Sequence, residues 1–203
     1  MNQSLVLDEV SLASRIREGT SALIPTDTLP ALACLPDYAV NLWELKRRPA
    51  SKPLILMGSE PEDLFKYVLE LALTDAWKMA ERYWPGALTL ILPSSGGVAA
   101  SLNPYSETLG MRIPDCKPTR LLFDRTGPLA TTSANISGIE SSHNEHEASA
   151  CFPHLPLLGP LPWRESSSSA STILSWERVG TWKMLRAGQL AASLNLKNGF
   201  IES

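Results

Sequence analysis

The sequence predicts an α/β fold, and three observations carry that prediction. Short apolar runs of strand length alternate with stretches of helical period, the pattern of a layered α/β architecture rather than a bundle or a sandwich. The 203 residues suit one domain with a sizeable core, since a chain of this size removes about 70% of its unfolded surface from water. The composition, with 44% hydrophobic and 19% charged residues, excludes the collagen-like and disordered classes. No internal repeat is found.

Taken in order, residues 8–18 form the first expected helix, with Val10, Ala13 and Ile16 on one face and Gly19 placed to end it. Residues 21–25 read as a short strand. Residues 38–47, carrying Val40, Trp43 and Leu45, read as a helix that stops before Pro49, and 53–57 as a buried strand. Ser59-Glu60-Pro61-Glu62 has capping-box spacing, so a further helix is expected to begin there. Another covers about 74–83 and ends at Trp84-Pro85-Gly86, before a strand over 87–92. Shorter strands are expected at 109–113, 129–132, 171–174 and 182–185. Residues 141–170 are rich in Ser, Pro and His and read as a surface excursion that interrupts a single domain, 5–195, rather than dividing two.

Net charge is -3, from 18 basic and 21 acidic residues. That balance argues against a surface built wholly for nucleic acid or anionic membrane, while leaving room for a local basic patch. The chain starts without a secretory pattern and contains no membrane-length apolar run, so a cytoplasmic location is expected and no membrane partner. Cys34, Cys116 and Cys151 are widely spaced and lack C-x-x-C, as expected of reduced thiols. His143 and His146 lack H-E-x-x-H spacing, so no protein metal site is expected.

Four segments suit anion chemistry better than packing. Ile24-Pro25-Thr26-Asp27-Thr28 crowds hydroxyls and a carboxylate at a strand end, which also suits a turn or cap. Lys46, Arg47, Arg48 and Lys52 cluster ahead of an apolar strand, as an anion site or a solvated helix end. Thr108-Leu109-Gly110-Met111-Arg112-Ile113-Pro114 places one arginine in an apolar run. It needs an anionic partner, whether a structural carboxylate or a substrate's, because an unpaired buried charge costs several kcal/mol. Thr131-Thr132-Ser133-Ala134-Asn135-Ile136-Ser137-Gly138 closes a strand with small polar groups of the kind that let backbone N–H groups approach phosphate. Neither a P-loop nor a dinucleotide glycine fingerprint occurs.

The order of these motifs resembles the YrdC-like family of threonylcarbamoyl-AMP synthases. The carriers are Pro25 to Thr28, Lys46 to Leu54, Trp84 to Thr89, Arg112 to Asp115, Ser133 to Gly138, Ser171-Thr172 and Leu185 to Gly188, in the single-domain form. The resemblance implies a twisted, open mixed sheet with helices around a concave, positively lined cavity. It implies a nucleotidyltransferase joining L-threonine, bicarbonate and ATP into threonylcarbamoyl-AMP, with Mg2+ on the ATP phosphates. A downstream tRNA threonylcarbamoyl transferase would then receive the product for the t6A modification. By position, Arg48, Lys46 and Arg112 would serve catalysis; Arg48, Lys52, Thr108, Ser133, Asn135, Ser141 and Arg186 would bind ATP; and Thr28, Arg112, the Thr131 backbone and Ser171 would hold L-threonine. Alternatives are a paralogue binding tRNA or double-stranded RNA through basic residues, or a carbamoyl-transfer enzyme using another amine. The chain departs from the family pattern where Leu29-Pro30-Ala31-Leu32 replaces x-Tyr-Gly-Leu and where Met57 stands in place of a polar residue. The turn facing the amino acid is therefore expected to differ. From its length, the 141–170 excursion is a candidate lid.

Overall fold

A computed structural model of the protein describes residues 5–164, 169–194 and 200–202. Strand β1 (Val6–Leu7) leads into helix α1 (Glu9–Arg17), which the Asp8 carboxylate caps by accepting from the Ser11 N–H at 2.7 Å. The helix stops at Gly19, whose φ of 92° is the left-handed conformation glycine tolerates. Leu12, Ala13 and Ile16 form its buried stripe; Val10, expected on that stripe, lies roughly a third of a turn away and is exposed. Strands β2 (Ala22–Ile24) and β3 (Ala31–Cys34) follow, then a 3-10 turn and helix α2 (Ala39–Lys46). The buried face of α2 is Ala39, Leu42 and Lys46, leaving Val40 exposed and Trp43 and Leu45 half-buried.

After β4 (Ile55–Met57), helix α3 (Pro61–Phe65) begins with Glu60 as its N-cap. The expected capping box does not close, because Ser59 lies one residue outside the helix and no side chain caps it. Helix α4 (Glu70–Tyr83) starts earlier than its apolar period suggested. Next come β5 (Leu88–Pro93), α5 (Gly97–Leu102), β6 (Thr108–Arg112), α6 (Lys117–Thr126) and β7 (Leu129–Ser133). The described part of the expected 141–170 surface excursion, which leaves out residues 165–168, contains α7 (Glu145–Cys151) and a short strand β8 (Leu157–Leu158), both of whose leucines are buried, in place of a bare loop. The chain closes with β9 (Thr172–Arg178), β10 (Thr181–Arg186) and β11 (Phe200–Glu202).

The strands form one open, mixed, 11-stranded sheet in the order β1-β8-β2-β3-β7-β4-β6-β5-β9-β10-β11. Parallel pairs (β8 with β1 and β2, β4 with β6, β5 with β9) are interleaved with antiparallel ones. One face packs against α2, α3 and α4 around Leu42, Leu56, Leu64, Ala76, Leu90 and Met111. On the other, α1 and α6 cover β2, β3 and their neighbours, with Leu12, Ile16, Ile24, Leu122 and Phe123 in contact. The cavity opens on the remainder of this second face. Among the described residues no helix is long and apolar enough to cross a membrane.

Candidate functional site

Successive side chains on a strand point to opposite faces, and that alternation builds the floor of the cavity. Leu88, Leu90 and Leu92 of β5 and Leu109 and Met111 of β6 enter the core, while Thr89, Ile91, Thr108, Gly110 and Arg112 face the cavity. Ile55 and Met57 of β4, Thr131 and Ser133 of β7, and Ser171 and Ile173 at the start of β9 extend this floor. The cavity holds about 300 Å³, at the low end of the ~300–1,000 Å³ typical of small-molecule sites. Arg48, Arg112 and Arg186 line it, with no carboxylate among the described lining residues.

Arg112 stands at one end, 2% exposed. Its Nε–H donates to the Gly86 carbonyl at 3.0 Å, one terminal nitrogen to Thr28 Oγ1 at 2.8 Å and the other to Asp27 Oδ1 at 2.6 Å. The anionic partner the sequence required is thus an internal carboxylate. Burial lowers the pKa of this guanidinium, with Asp27 opposing the shift, but an arginine keeps its charge throughout the working range. Three of the five guanidinium donors are used, which fixes the plane of the group and leaves two others for a ligand. The Pro-Thr-Asp-Thr turn is itself tied down. Thr26 Oγ1 donates to the Leu29 carbonyl at 2.7 Å and accepts from the Thr28 N–H at 3.0 Å, while Thr119 of α6 donates to the Pro25 carbonyl at 2.7 Å.

Beside Arg112, the Arg186 guanidinium donates to the carbonyl and the hydroxyl of Ser171 at 3.0 and 3.1 Å, and Ser171 Oγ lies 2.8 Å from Thr89 Oγ1. Gly188 explains why Ser-Thr and Leu-Arg-x-Gly occur together. A Cβ at position 188 would lie 2.3 Å from the Ala170 carbonyl oxygen and 2.4 Å from the Ser171 carbonyl carbon. Only glycine lets the two segments close, and Thr172 Oγ1 then accepts from the Gly188 and Leu190 N–H groups at 3.2 and 3.1 Å.

Arg48 marks the other end. It is half-buried and donates only to backbone carbonyls, those of Lys52 at 3.4 Å and Pro53 at 3.1 Å. Ser133, Thr108, Asn103 and Ser141 share this end, with Asn103 Nδ2 donating to the Thr108 carbonyl at 2.9 Å. Beneath it lies Lys46, 1% exposed, whose ammonium donates to the Ser133 carbonyl, to Ser133 Oγ and to Asn135 Oδ1 at 2.9 Å. Asn135 passes the connection on by donating to the Ile136 and Ile139 carbonyls at 3.0 and 2.6 Å. Burial, and then the nearby Arg48 cation, pull the Lys46 pKa down to about 8.

Of the twelve residues predicted as ligands, nine line the cavity: Thr28, Arg48, Thr108, Arg112, Thr131, Ser133, Ser141, Ser171 and Arg186. Lys46 and Asn135 are not among the lining residues; both are buried and hold the 133–139 loop. Lys52 is exposed outside it. The departures from the family pattern fall on the wall: Ala31 and Met57 line the cavity, while the Pro30 carbonyl accepts from the Ala134 N–H at 2.9 Å. Ala31 is the first residue of β3 and does not have a positive φ, so alanine carries no strain there. Thr89, Asn103 and Gly110 were not foreseen as lining residues. Thr89 had a legible signal: it is the polar residue at an alternate position of an apolar strand. Burial pushes the Cys34 thiol up to about 12 and also raises that of Cys116, so both stay protonated at neutral pH.

An open mixed α/β sheet bearing an arginine-lined cavity over its central strands is the class of protein that fold and site define. The chain belongs to the Sua5, YciO and YrdC family, whose model, described as telomere recombination, matches residues 14–188. Among similar proteins is a threonylcarbamoyl-AMP synthase of Rattus norvegicus, 32% identical over 187 residues, which are 86% of this chain and 65% of the relative. This chain therefore spans less than two thirds of that relative's length. One from Escherichia coli O6:H1 is 32% identical over 166 residues, 77% of this chain and 87% of the relative. Among solved structures, Pyrococcus abyssi Sua5 complexed with L-threonine is 27% identical with a TM-score of 0.81, covering 92% of this chain and 57% of Sua5.

Proposed function

We propose that the chain is a threonylcarbamoyl-AMP synthase, a nucleotidyltransferase that makes threonylcarbamoyl-AMP and pyrophosphate from L-threonine, bicarbonate and ATP. The observation that carries this reading is the convergence of nine predicted ligands on one cavity with two chemically different ends. The neutral threonine amine attacks the bicarbonate carbon, forming an N–C bond and releasing water. A carbamate oxygen then attacks the α-phosphorus of ATP, and pyrophosphate leaves. The protein's task is positioning and charge neutralisation. Arg112, held flat by Asp27, Thr28 and the Gly86 carbonyl, binds the threonine carboxylate with Ser171 beside it. Arg48 and Arg186 neutralise phosphate charge, and Ser133, Thr108 and Ser141 supply hydroxyls.

The lining fits Mg2+ that arrives on ATP phosphates rather than in a protein cage, since its oxygen donors are hydroxyls and carbonyls. When bound, the ion neutralises charge on the departing pyrophosphate. The product passes to a tRNA threonylcarbamoyl transferase in the cytoplasm. The test is incubation with ATP, bicarbonate and L-threonine followed by mass spectrometry. Formation of the adenylate is expected; ATP binding without any adenylate would refute the reading. Met57 and Ala31 on the wall favour one second reading, in which the preferred amine is a more apolar amino acid. Competition among amino acids in the same assay separates the two.

A further inference from the structure

The Gly110 position has no local reason to be glycine. A glycine inside a strand weakens it, because it has the most freedom to lose and no side chain to pack. Such a residue is retained where φ is positive, where a neighbour crowds the missing Cβ, or where something else must approach the backbone. The first reason fails, since Gly110 does not have a positive φ. So does the second: an ideal Cβ there would meet Ile55 Cγ1 at 3.4 Å and Thr89 Cγ2 at 3.8 Å, ordinary van der Waals distances. By contrast, the Cβ that Gly188 lacks would collide with backbone. What remains is the cavity, on whose floor Gly110 lies between two neighbours that also line it.

Sheet register locates this gap between the two ends of the site. Gly110 is paired with Ile55 on one side and Ile91 on the other, giving a row of apolar floor with a bare centre. Along β6 the next cavity-facing residues are Thr108 toward the Arg48 end and Arg112 toward the carboxylate-binding end, each about 6.6 Å away at the rise of an extended strand. A ligand that engages both ends must cross Gly110.

We infer that Gly110 is a specificity-determining close-approach point, where the carbamoyl–phosphate junction of threonylcarbamoyl-AMP lies against the bare backbone of β6. This rests on the proposed synthase reading and adds to it the location of the bond-forming atoms. A side chain at 110 then leaves room for ATP alone or threonine alone but obstructs the molecule that joins them.

The test is Gly110→Ala and Gly110→Val in the full chain, with ATP and L-threonine binding measured separately by calorimetry, threonylcarbamoyl-AMP binding by competition, and adenylate formation by mass spectrometry. The alanine variant is expected to melt at or slightly above the wild-type temperature, and both variants to bind each substrate alone within about threefold of wild type. Adenylate affinity and kcat are expected to fall by about tenfold in the alanine variant and a hundredfold or more in the valine variant. Wild-type turnover by Gly110→Val would overturn the inference. Selective loss of ATP or threonine binding alone would also overturn it, by assigning the gap to that substrate. If the valine variant fails to fold, the alanine variant decides by the same comparison. An inactive wild-type protein would instead refute the synthase reading, an outcome distinct from any of these.

Discussion

The two ends of the cavity use the same residue, arginine, in opposite ways. Arg112 is buried, and three different partners fix its guanidinium before any ligand arrives, one of them a carboxylate. Arg48 is half-buried and borrows two carbonyls from its own chain segment. The first arrangement fits a small, rigid ligand group whose position must be defined closely, such as an amino-acid carboxylate, because bidentate geometry is set in advance. The second fits a flexible polyphosphate, where charge matters more than angle. Beneath the Arg48 end the rigidity has moved one layer down, to Lys46 and Asn135.

The largest effect expected from breaking this contrast is that of Arg112→Ala. It leaves Asp27, whose side chain is 16% exposed, without its ion-pair partner and should destabilise the fold by about 2–3 kcal/mol, less than the ~3–5 kcal/mol of a fully buried pair because water still reaches that carboxylate. Threonine binding should fall far more than ATP binding, with kcat/KM down by about a thousandfold. Calorimetry with each substrate checks this; equal loss of both would assign Arg112 a purely structural role. Arg48→Ala is the complementary change. Its partners are backbone carbonyls near solvent, so melting should shift little, while ATP affinity falls about ten- to hundredfold. A large stability loss would erase the distinction between the ends.

How far these ends were legible in the sequence follows the range of the interactions. Alternation within β5 and β6 is local, and it foretold Arg112 on a buried strand and left Thr89 visible to closer reading. Motif order brought out nine lining residues without any geometry. The run of bases around Lys46 suits an anion site and a solvated helix end equally, so the burial of Lys46 is not legible locally. Its burial depends on Ser133 and Asn135, 87 and 89 residues away. The strand within the 141–170 segment is hidden for a similar reason: Leu157 becomes part of the sheet only by pairing with Val6 and Leu23. Two-residue strands carry no period to detect, and β3, four residues after a proline with one leucine among small side chains, carries little more.

The layer beneath the Arg48 end has its own test. Lys46 loses its proton near pH 8 in the folded protein, against an ordinary value of 10.5. Between these values the unfolded state binds more protons, so stability rises with pH across that window, and the burial penalty is fully present only below pH 8. Urea midpoints measured from pH 7 to 10.5 should show this rise in the wild type and lose it in Lys46→Met. At neutral pH the substitution removes the ammonium's hydrogen bonds together with its burial penalty, while Asn135 Oδ1 keeps the Ser133 hydroxyl and the Ser133 carbonyl keeps the Asn135 N–H as donors, so the net change in stability should stay within about 1 kcal/mol. Equal slopes in the two proteins would mean that Lys46 titrates normally.

Lys52 should give the smallest effect and probes how far the loose end moves. Its side chain is exposed outside the cavity, while its carbonyl accepts from Trp43 Nε1 at 3.0 Å and from Arg48. Lys52→Ala keeps that carbonyl, so stability should change by less than about 0.5 kcal/mol, as for other exposed sites. If Lys52 contributes only long-range attraction, ATP affinity should drop about threefold at low salt and recover to wild type at high salt, where the Debye length shrinks to roughly 3 Å. A tenfold loss that survives high salt would require the ammonium to contact phosphate directly. The 46–52 segment would then have to fold inward over bound ATP, making the Arg48 end a closing jaw opposed to the preset Arg112 end.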